Sequence, residues 1–228
     1  MPPGRLSRAR HGHSTEGNSC MQLYYFEVGN SRKPCAVARY LELPVEFRRI
    51  DLAKGENKSP QFLAINPNGK VPTLVDGDVR MWESHAIMAH LARKAGSPLW
   101  PSDAAAQIEV MRWLLWDTAH FSRHAGRLFW EHFVKQAFGL GEASAAEVKD
   151  ATSFFRQFAG VLDQHLADRT YVVGDQLTIA DFGIGCFLPD AGVAKLPLDD
   201  FPHIQRWHDN LMHLPAWREP WPEARKAA

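Results

Sequence analysis

The sequence predicts an α+β protein: a small mixed domain followed by an all-helical domain. Three observations predict it. Strand and helix patterns alternate over residues 21–97, a linker rich in proline, glycine and serine follows, and helical patterns continue from residue 104 onward. The chain has 228 residues, which is enough for two small domains that each bury an apolar core.

The composition excludes several classes of function. Lys plus Arg and Asp plus Glu both number 26, so the net charge is zero and nothing favours a nucleic-acid partner. No apolar run reaches the roughly 18 residues that a membrane span needs. The three cysteines, Cys20, Cys35 and Cys186, are widely spaced and odd in number. This pattern favours a reducing compartment, and we expect a cytoplasmic protein.

Residues 1–20 differ from the rest of the chain. They include several arginines and histidines, one acidic residue and no apolar periodicity. We expect a disordered extension. A transit peptide is the alternative, although no amphipathic face supports it.

The mixed domain, residues 21–97, begins with an apolar strand over residues 23–28. A helix is expected over residues 34–43, with its proline in the first turn, and a second strand over residues 45–52. Ser59 and Pro60 are typical of the cap and first position of a short helix.

A β-hairpin follows, since Asp76-Gly77 is a two-residue turn signal between short apolar runs. Pro72 cannot donate to a sheet ladder, so it must stand at a strand start or an edge, in either the trans or the cis form. A helix is expected over residues 83–94. The order βαβ and then ββα predicts a thioredoxin-like unit.

The second domain, residues 104–228, is expected to be helical throughout. Helices are predicted over residues 104–134, 142–167 and 201–214, with a last one from residue 215. Thr178 and Asp181 have the spacing of a helix capping box, with aspartate in place of the usual glutamate.

The hairpin region also predicts a binding site. Because Pro72 ends the ladder, the main chain of Val71 is free to pair with a ligand. Glu83-Ser84 opens a helix whose unpaired N–H groups suit a carboxylate. Together they predict a cradle for a small extended peptide with a free carboxylate.

Several segments, in order, carry a resemblance to a known family. They are Met21 to Tyr25, Ser31 to Leu41, Asp51 to Glu56, Asn66 to Pro72 and Trp82 to Ser84. In order and spacing they resemble cytosolic glutathione S-transferases, and most closely the theta-like and related bacterial members that use a serine. The all-helical second domain is also similar to that family's.

The resemblance implies glutathione as co-substrate and Ser31 as the catalytic residue. A hydroxyl at the start of the first helix would stabilise the glutathione thiolate, with help from the helix dipole. A serine there could equally be only a helix cap. Asn30 and Tyr25 are alternative donors.

The resemblance also implies which residues hold glutathione. The main chain of Val71, placed by Pro72, would meet the cysteinyl part. Ser84 would meet the γ-glutamyl carboxylate and Glu83 its ammonium, while Lys70 would face the glycyl carboxylate. Asn57 stands where theta-like relatives carry a histidine, and we expect it to contact glutathione from that position.

The electrophile is expected to bind on the first long helix of the second domain. The residues predicted for this site are Trp113, Trp116, His120 and Arg123, spaced 3, 4 and 3 apart. Such a face suits a flat aromatic substrate, but an aromatic stripe can equally be core. His120 and His124 have metal-ligand spacing without a supporting carboxylate, so no metal is expected.

These inferences predict a glutathione transferase that conjugates glutathione to hydrophobic electrophiles, in the form of a homodimer. A glutathione-dependent lyase, dehalogenase or isomerase would share the same glutathione site. A non-catalytic glutathione-binding protein of the same fold is the third possibility.

Overall fold

The computed structural model describes residues 20–222, and the expectation for the N-terminal extension falls, apart from Cys20, outside that range. The first part contains a four-stranded mixed sheet in the order β2-β1-β3-β4. β1 runs parallel to β2 and antiparallel to β3, which pairs antiparallel with β4. The strands are β1 (Met21–Tyr25), β2 (Val45–Arg49), β3 (Thr73–Asp76) and β4 (Val79–Trp82).

Two helices cover one face of this sheet, namely α1 (Gly29–Tyr40) and α3 (Ser84–Lys94). On β1, the buried residues Met21, Leu23 and Tyr25 alternate with less buried ones, as in a sheet with one covered face. The short α2 (Pro60–Ile65) begins as predicted, because the Phe62 N–H donates to the Ser59 hydroxyl at 3.2 Å. The sheet and its helices confirm the thioredoxin-like arrangement.

Two local predictions were wrong. The hairpin loop is Gly77-Asp78, since Asp76 still pairs with Val79. Gly77 has φ 58°, a left-handed conformation that favours glycine. In addition, α1 begins at Gly29, so Pro34 lies inside the helix. Pro34 has no N–H, so it cannot donate a hydrogen bond to the carbonyl of the residue four positions earlier. The missing hydrogen bond lies in the first turns of the helix.

The second part is helical, and its first 34 residues form one long rod with two π segments, Asp117–Phe121 and Trp130–Val134. A 3₁₀ segment, Gly185–Asp190, follows α8. The α-helices are α4 (Ala104–Trp116), α5 (Ser122–Phe129), α6 (Lys135–Ala137), α7 (Ala145–His165), α8 (Ile179–Ile184), α9 (Ala191–Ala194), α10 (Pro202–Met212) and α11 (Pro215–Arg218).

The predicted capping box at the start of α8 is confirmed. The Ala180 N–H donates to the Thr178 hydroxyl at 3.2 Å, and the Thr178 N–H donates to the Asp181 carboxylate at 2.9 Å. Asp181 is fully buried and also accepts hydrogen bonds from the Val172 N–H and the Trp207 indole. The box therefore anchors the centre of the helical part.

The two parts share one core. Arg32 of α1 donates to the main-chain carbonyl of Trp217 at 2.9 Å, and the Tyr25 ring stacks on Trp221. Phe182 of α8 packs edge-on against Tyr40. Within residues 20–222, no helix has the length and apolar character to cross a membrane. This packing brings Lys33 of α1 and His85 of α3 within 3.6 Å of Asp117, in the π segment that follows α4.

Candidate functional site

A polar cleft of about 470 Å³ opens between the two parts. Its walls come from the start of α1, the loop over residues 66–72, the start of α3, and the chain from the first π segment into α5. The residues on these walls include Asn30, Lys70, Val71, Glu83, Ser84 and Arg123.

The loop before β3 presents its main chain to this cleft. The Val71-Pro72 peptide bond is cis, and the strand begins directly afterwards at Thr73. Among the described residues, the main chain of Val71 makes no hydrogen bond. Asn66, 1% exposed, pins the loop by donating to the Lys70 carbonyl and the Thr73 hydroxyl. The free N–H and C=O of Val71 are therefore held in place for a ligand.

The start of α3 is built to receive an anion. Glu83 occupies the N-cap position with φ 71°, and its side chain does not cap the helix. A non-glycine residue in this left-handed region is strained, and such strain clusters at functional sites. The first N–H groups of α3 are left without helical partners beside the buried Ser84. These groups and the helix dipole favour a carboxylate there.

The start of α1 presents Asn30, and not Ser31, to the cleft. Asn30 is exposed and lines the cavity. Ser31 is 0% exposed, and its hydroxyl has no hydrogen-bond partner among the described residues. Val28, at the N-cap, carries no hydroxyl or amide. The polar side chain that reaches the cleft from this helix start is thus the Asn30 amide.

A second, apolar cleft of about 420 Å³ adjoins the polar one. The two clefts share Asn30, Val71, Gly126 and Phe187. Most of the side chains that line the second cleft are aromatic or aliphatic, and they include Phe26, Phe129, Phe133, Phe138, Leu140 and Phe187.

Phe187 forms the wall between the two clefts because two glycines make room for its ring. A Cβ atom at Gly29 would lie 2.8 Å from the ring, and one at Gly126 would lie 3.1 Å from it. Both separations are too short for ordinary packing. The junction of the clefts is therefore shaped by Gly29 of α1, Gly126 of α5 and the ring between them.

Comparisons with known proteins agree with this architecture. The model of the glutathione S-transferase N-terminal domain matches residues 21–93, and that of the C-terminal domain matches residues 121–215. "Glutathione S-transferase 3" of Zea mays is 35% identical over 185 residues, covering 78% of this chain and 82% of that protein. This chain belongs to the glutathione S-transferase family.

Other relatives and solved structures in the family extend the likeness. "Glutathione S-transferase 1" of Schizosaccharomyces pombe is 30% identical over 218 residues, covering 87% of this chain and 93% of that one. A glutathione transferase from Burkholderia graminis, solved with two glutathione molecules per subunit, has a TM-score of 0.80 at 25% identity, covering 91% and 90% of the two chains. Ure2p in complex with glutathione has a TM-score of 0.81 at 26% identity, covering 90% and 100%.

The polar cleft brings together six of the residues predicted for the transferase site. They are Lys70, Val71, Pro72, Glu83, Ser84 and Arg123. Asn57 does not line the cleft: its amide donates to the Gly69 carbonyl at 2.7 Å and so supports the loop from behind. Ser31 is also absent from the lining, which leaves the serine subtype of the family without structural support.

Three residues predicted for the electrophile lie elsewhere. Trp113 is 3% exposed and packs its ring 4.4 Å from that of His165 on α7. Trp116 packs edge-on against Phe158 of the same helix, and His120 stacks on Phe158 with ring centroids 4.5 Å apart. This aromatic stripe packs the end of α4 and the first π segment against α7, which was the alternative interpretation of its spacing.

The sequence did not point to Lys33, His85, Thr118 and Ser122, which form the floor of the cleft. Burial and the nearby Lys33 ammonium lower the pKa of His85 to about 2, so its imidazole is neutral at physiological pH. The sequence signal that could have indicated this floor was Lys33, a charged residue within the apolar pattern of α1. The described residues contain no group of three or more potential metal ligands.

Proposed function

We propose that this protein transfers the thiolate of glutathione to a hydrophobic electrophile. The observation that carries the proposal is the junction of two clefts, one polar and one apolar, that share Asn30, Val71, Gly126 and Phe187. A peptide thiol in the first cleft would meet an apolar acceptor in the second. Holding both reactants in one geometry is a large source of rate acceleration.

Glutathione would lie extended in the polar cleft. Its cysteinyl part would pair with the free main chain of Val71. The γ-glutamyl carboxylate would meet Ser84 and the N–H groups at the start of α3, with its ammonium on the Glu83 carboxylate. Lys70, which has no ion-pair partner among the described residues, would hold the glycyl carboxylate.

The thiolate would be stabilised by Asn30 and by the start of α1. Lowering a thiol pKa from about 8.5 to about 6.5 requires about 2.7 kcal/mol of preferential stabilisation of the thiolate. A hydrogen bond to a charged group supplies about 1.5–3 kcal/mol, and a helix N-terminus adds about 0.3–1 kcal/mol. Asn30 can therefore do what the sequence suggested for Ser31, which is buried and does not line the cleft.

The reaction is a nucleophilic substitution or addition. The thiolate sulfur donates an electron pair to an electrophilic carbon, a C–S bond forms, and a leaving group departs with its own electron pair where there is one. The aromatic walls of the apolar cleft would hold the hydrophobic part of the acceptor. Arg123, on the polar side of the junction, would offset negative charge as it develops.

The apolar lining also separates this proposal from thiol–disulfide chemistry. The Burkholderia graminis relative holds two glutathione molecules per subunit. In this chain, aromatic and aliphatic side chains make up most of the adjoining cleft, and its charged residue, Glu27, is acidic. This lining fits an apolar acceptor better than a second tripeptide with two carboxylates. A lyase, dehalogenase or isomerase would use the same two clefts and differ only in the acceptor.

The decisive experiment measures glutathione binding and thiolate formation together. We expect glutathione to bind in calorimetry, the thiolate to absorb in the ultraviolet at neutral pH, and a chlorodinitrobenzene to be conjugated. Binding without thiolate would favour a non-catalytic binding protein. Thiolate without conjugation of any aromatic halide, epoxide or enone would favour a lyase, dehalogenase or isomerase.

We also propose a cytoplasmic homodimer. The cysteines Cys20, Cys35 and Cys186 are all free thiols, as in a reducing compartment. On α4, the exposed side chains of Ile108, Met111 and Leu115 form an apolar stripe at helical spacing. Light scattering on the purified protein tests the assembly: a monomer at micromolar concentration would contradict it.

A further inference from the structure

Beneath the polar cleft lies a buried charged cluster that the proposed reaction does not use. The Lys33 ammonium is 3.0 Å from His85 Nε2 and 3.6 Å from the nearer oxygen of Asp117. Lys33 is 2% exposed and Asp117 is 0% exposed. The three residues come from α1, α3 and the first π segment, so the cluster joins both parts of the molecule.

The hydrogen bonds fix the protonation of this cluster. Because an ammonium only donates, His85 Nε2 must accept from Lys33, and Nδ1 must carry the proton. His85 Nδ1 lies 3.3 Å from the Thr118 hydroxyl, which itself donates to the Leu114 carbonyl at 3.0 Å. His85 is thus a neutral bridge from Lys33 to the helical part.

Asp117 completes the cluster from the other side. The Ser122 hydroxyl donates to its Oδ1 at 2.5 Å, across the π segment. Burial acts to lower the pKa of Lys33, but the Asp117 carboxylate beside it acts to hold that pKa above its usual value. Burial also raises the pKa of Asp117, and the Lys33 ammonium opposes that rise, so the two groups favour each other's charged form. Asp117 and Ser122 meet across a π segment, which is a helical turn with one extra residue. Such π segments often occur at functional sites.

Each member of the cluster is linked to a residue that faces the cleft. Lys33 lies about one helical turn after Asn30, and His85 follows Ser84. Asp117 accepts the hydroxyl of Ser122, the residue that precedes Arg123. We propose that Lys33, His85 and Asp117 act as positioning residues that hold the starts of α1 and α3 in register for glutathione. This inference rests on the proposed function, because it requires glutathione in the polar cleft.

The test must separate positioning from stability. Removing one partner of a buried ion pair strands the other charge, so Lys33→Met alone will destabilise the fold. Lys33→Met combined with Asp117→Asn removes both charges, keeps an acceptor for Ser122 and restores much of the stability. The double variant still leaves His85 without its donor, so its glutathione affinity reports the positioning.

On the native protein and on each variant, calorimetry measures the dissociation constant of glutathione, and urea unfolding measures the free energy of unfolding. We expect the dissociation constant of glutathione to rise about tenfold in both Lys33→Met and the double variant. This loss of affinity corresponds to about one hydrogen bond to a charged group. The KM for the electrophile should stay within about twofold, since the apolar cleft is untouched. Thr118→Val, which removes only the hydroxyl beside His85, should weaken glutathione about threefold.

Arg32→Met is the matched control. Arg32 is a buried cation on the same helix and bonds the helical part, but it lies outside the cleft. It should lose stability yet bind glutathione within about twofold of the native protein. Native affinity in the double variant or in Thr118→Val, or an equal loss in Arg32→Met, would overturn the inference. A native protein that does not bind glutathione would instead contradict the proposed function.

Discussion

Asp181 offers the clearest test of what holds the helical part together. Its carboxylate accepts the Val172 N–H at 2.9 Å, the Thr178 N–H at 2.9 Å and the Trp207 indole N–H at 3.0 Å, and the Thr178 hydroxyl also donates to it at 3.2 Å. The carboxylate and the three N–H donors are in buried residues. Burial raises the pKa of Asp181, so these hydrogen bonds are what offset the cost of placing a carboxylate there.

Asp181→Ala would leave the three donors buried and unpaired. Each unpaired donor costs about 1–3 kcal/mol, and partial relaxation reduces the sum, so we expect a loss of about 3–5 kcal/mol in the free energy of unfolding. Asp181→Asn keeps an acceptor for Val172 and Trp207 but turns an N–H group toward Thr178. It should therefore cost about 1–3 kcal/mol.

Urea unfolding followed by circular dichroism measures both losses, since tryptophan fluorescence would also report the changed indole contact. Asp163→Ala is a suitable comparison, because Asp163 accepts two main-chain N–H groups at the start of α10 but is only partly buried. Water can replace it, so a loss of about 1 kcal/mol is expected. Equal losses for Asp181→Ala and Asp163→Ala would refute this account of the buried donors.

Three further predictions concern the site and the sheet. Phe187→Ala opens the wall between the clefts and should raise the KM of an aromatic electrophile about tenfold, while glutathione affinity changes by less than about twofold. Asn30→Ala should raise the pKa of the bound thiol by about one, seen by thiolate absorbance, whereas Ser31→Ala should not change it. Partial burial acts to raise the pKa of Asp76, but Lys94 and the neighbouring histidine outweigh it and hold that pKa below its usual value. The ion pair of Asp76 with Lys94 should therefore stabilise the fold above about pH 4, and this contribution should be lost as the pH falls further. Urea unfolding should show that the free energy of unfolding of Asp76→Asn falls less steeply below about pH 4 than that of the native protein.

Several features whose causes are local could be predicted from the sequence. The cap at Ser59, the strand start after Pro72 and the capping box at Thr178 each depend on residues a few positions apart, and each is present. The start of α1 was placed five residues late because Gly29, Asn30 and Ser31 are weak helix formers, so nothing nearby marked a helix. Tertiary packing against α3 and the helical part outweighs that weak propensity.

The four residues predicted for the electrophile lie apart for a reason that periodicity could not reveal. Trp113, Trp116, His120 and Arg123 share a face only if the helix is a regular α-helix throughout. The π segment Asp117–Phe121 adds a residue to the turn, which rotates everything beyond it by about 100° relative to α4. The two tryptophans therefore pack against α7 while Arg123 turns toward the cleft. The same rotation brings Asp117 and Ser122 together across the π turn, so one inserted residue both separates Arg123 from the two tryptophans and forms part of the floor of the polar cleft.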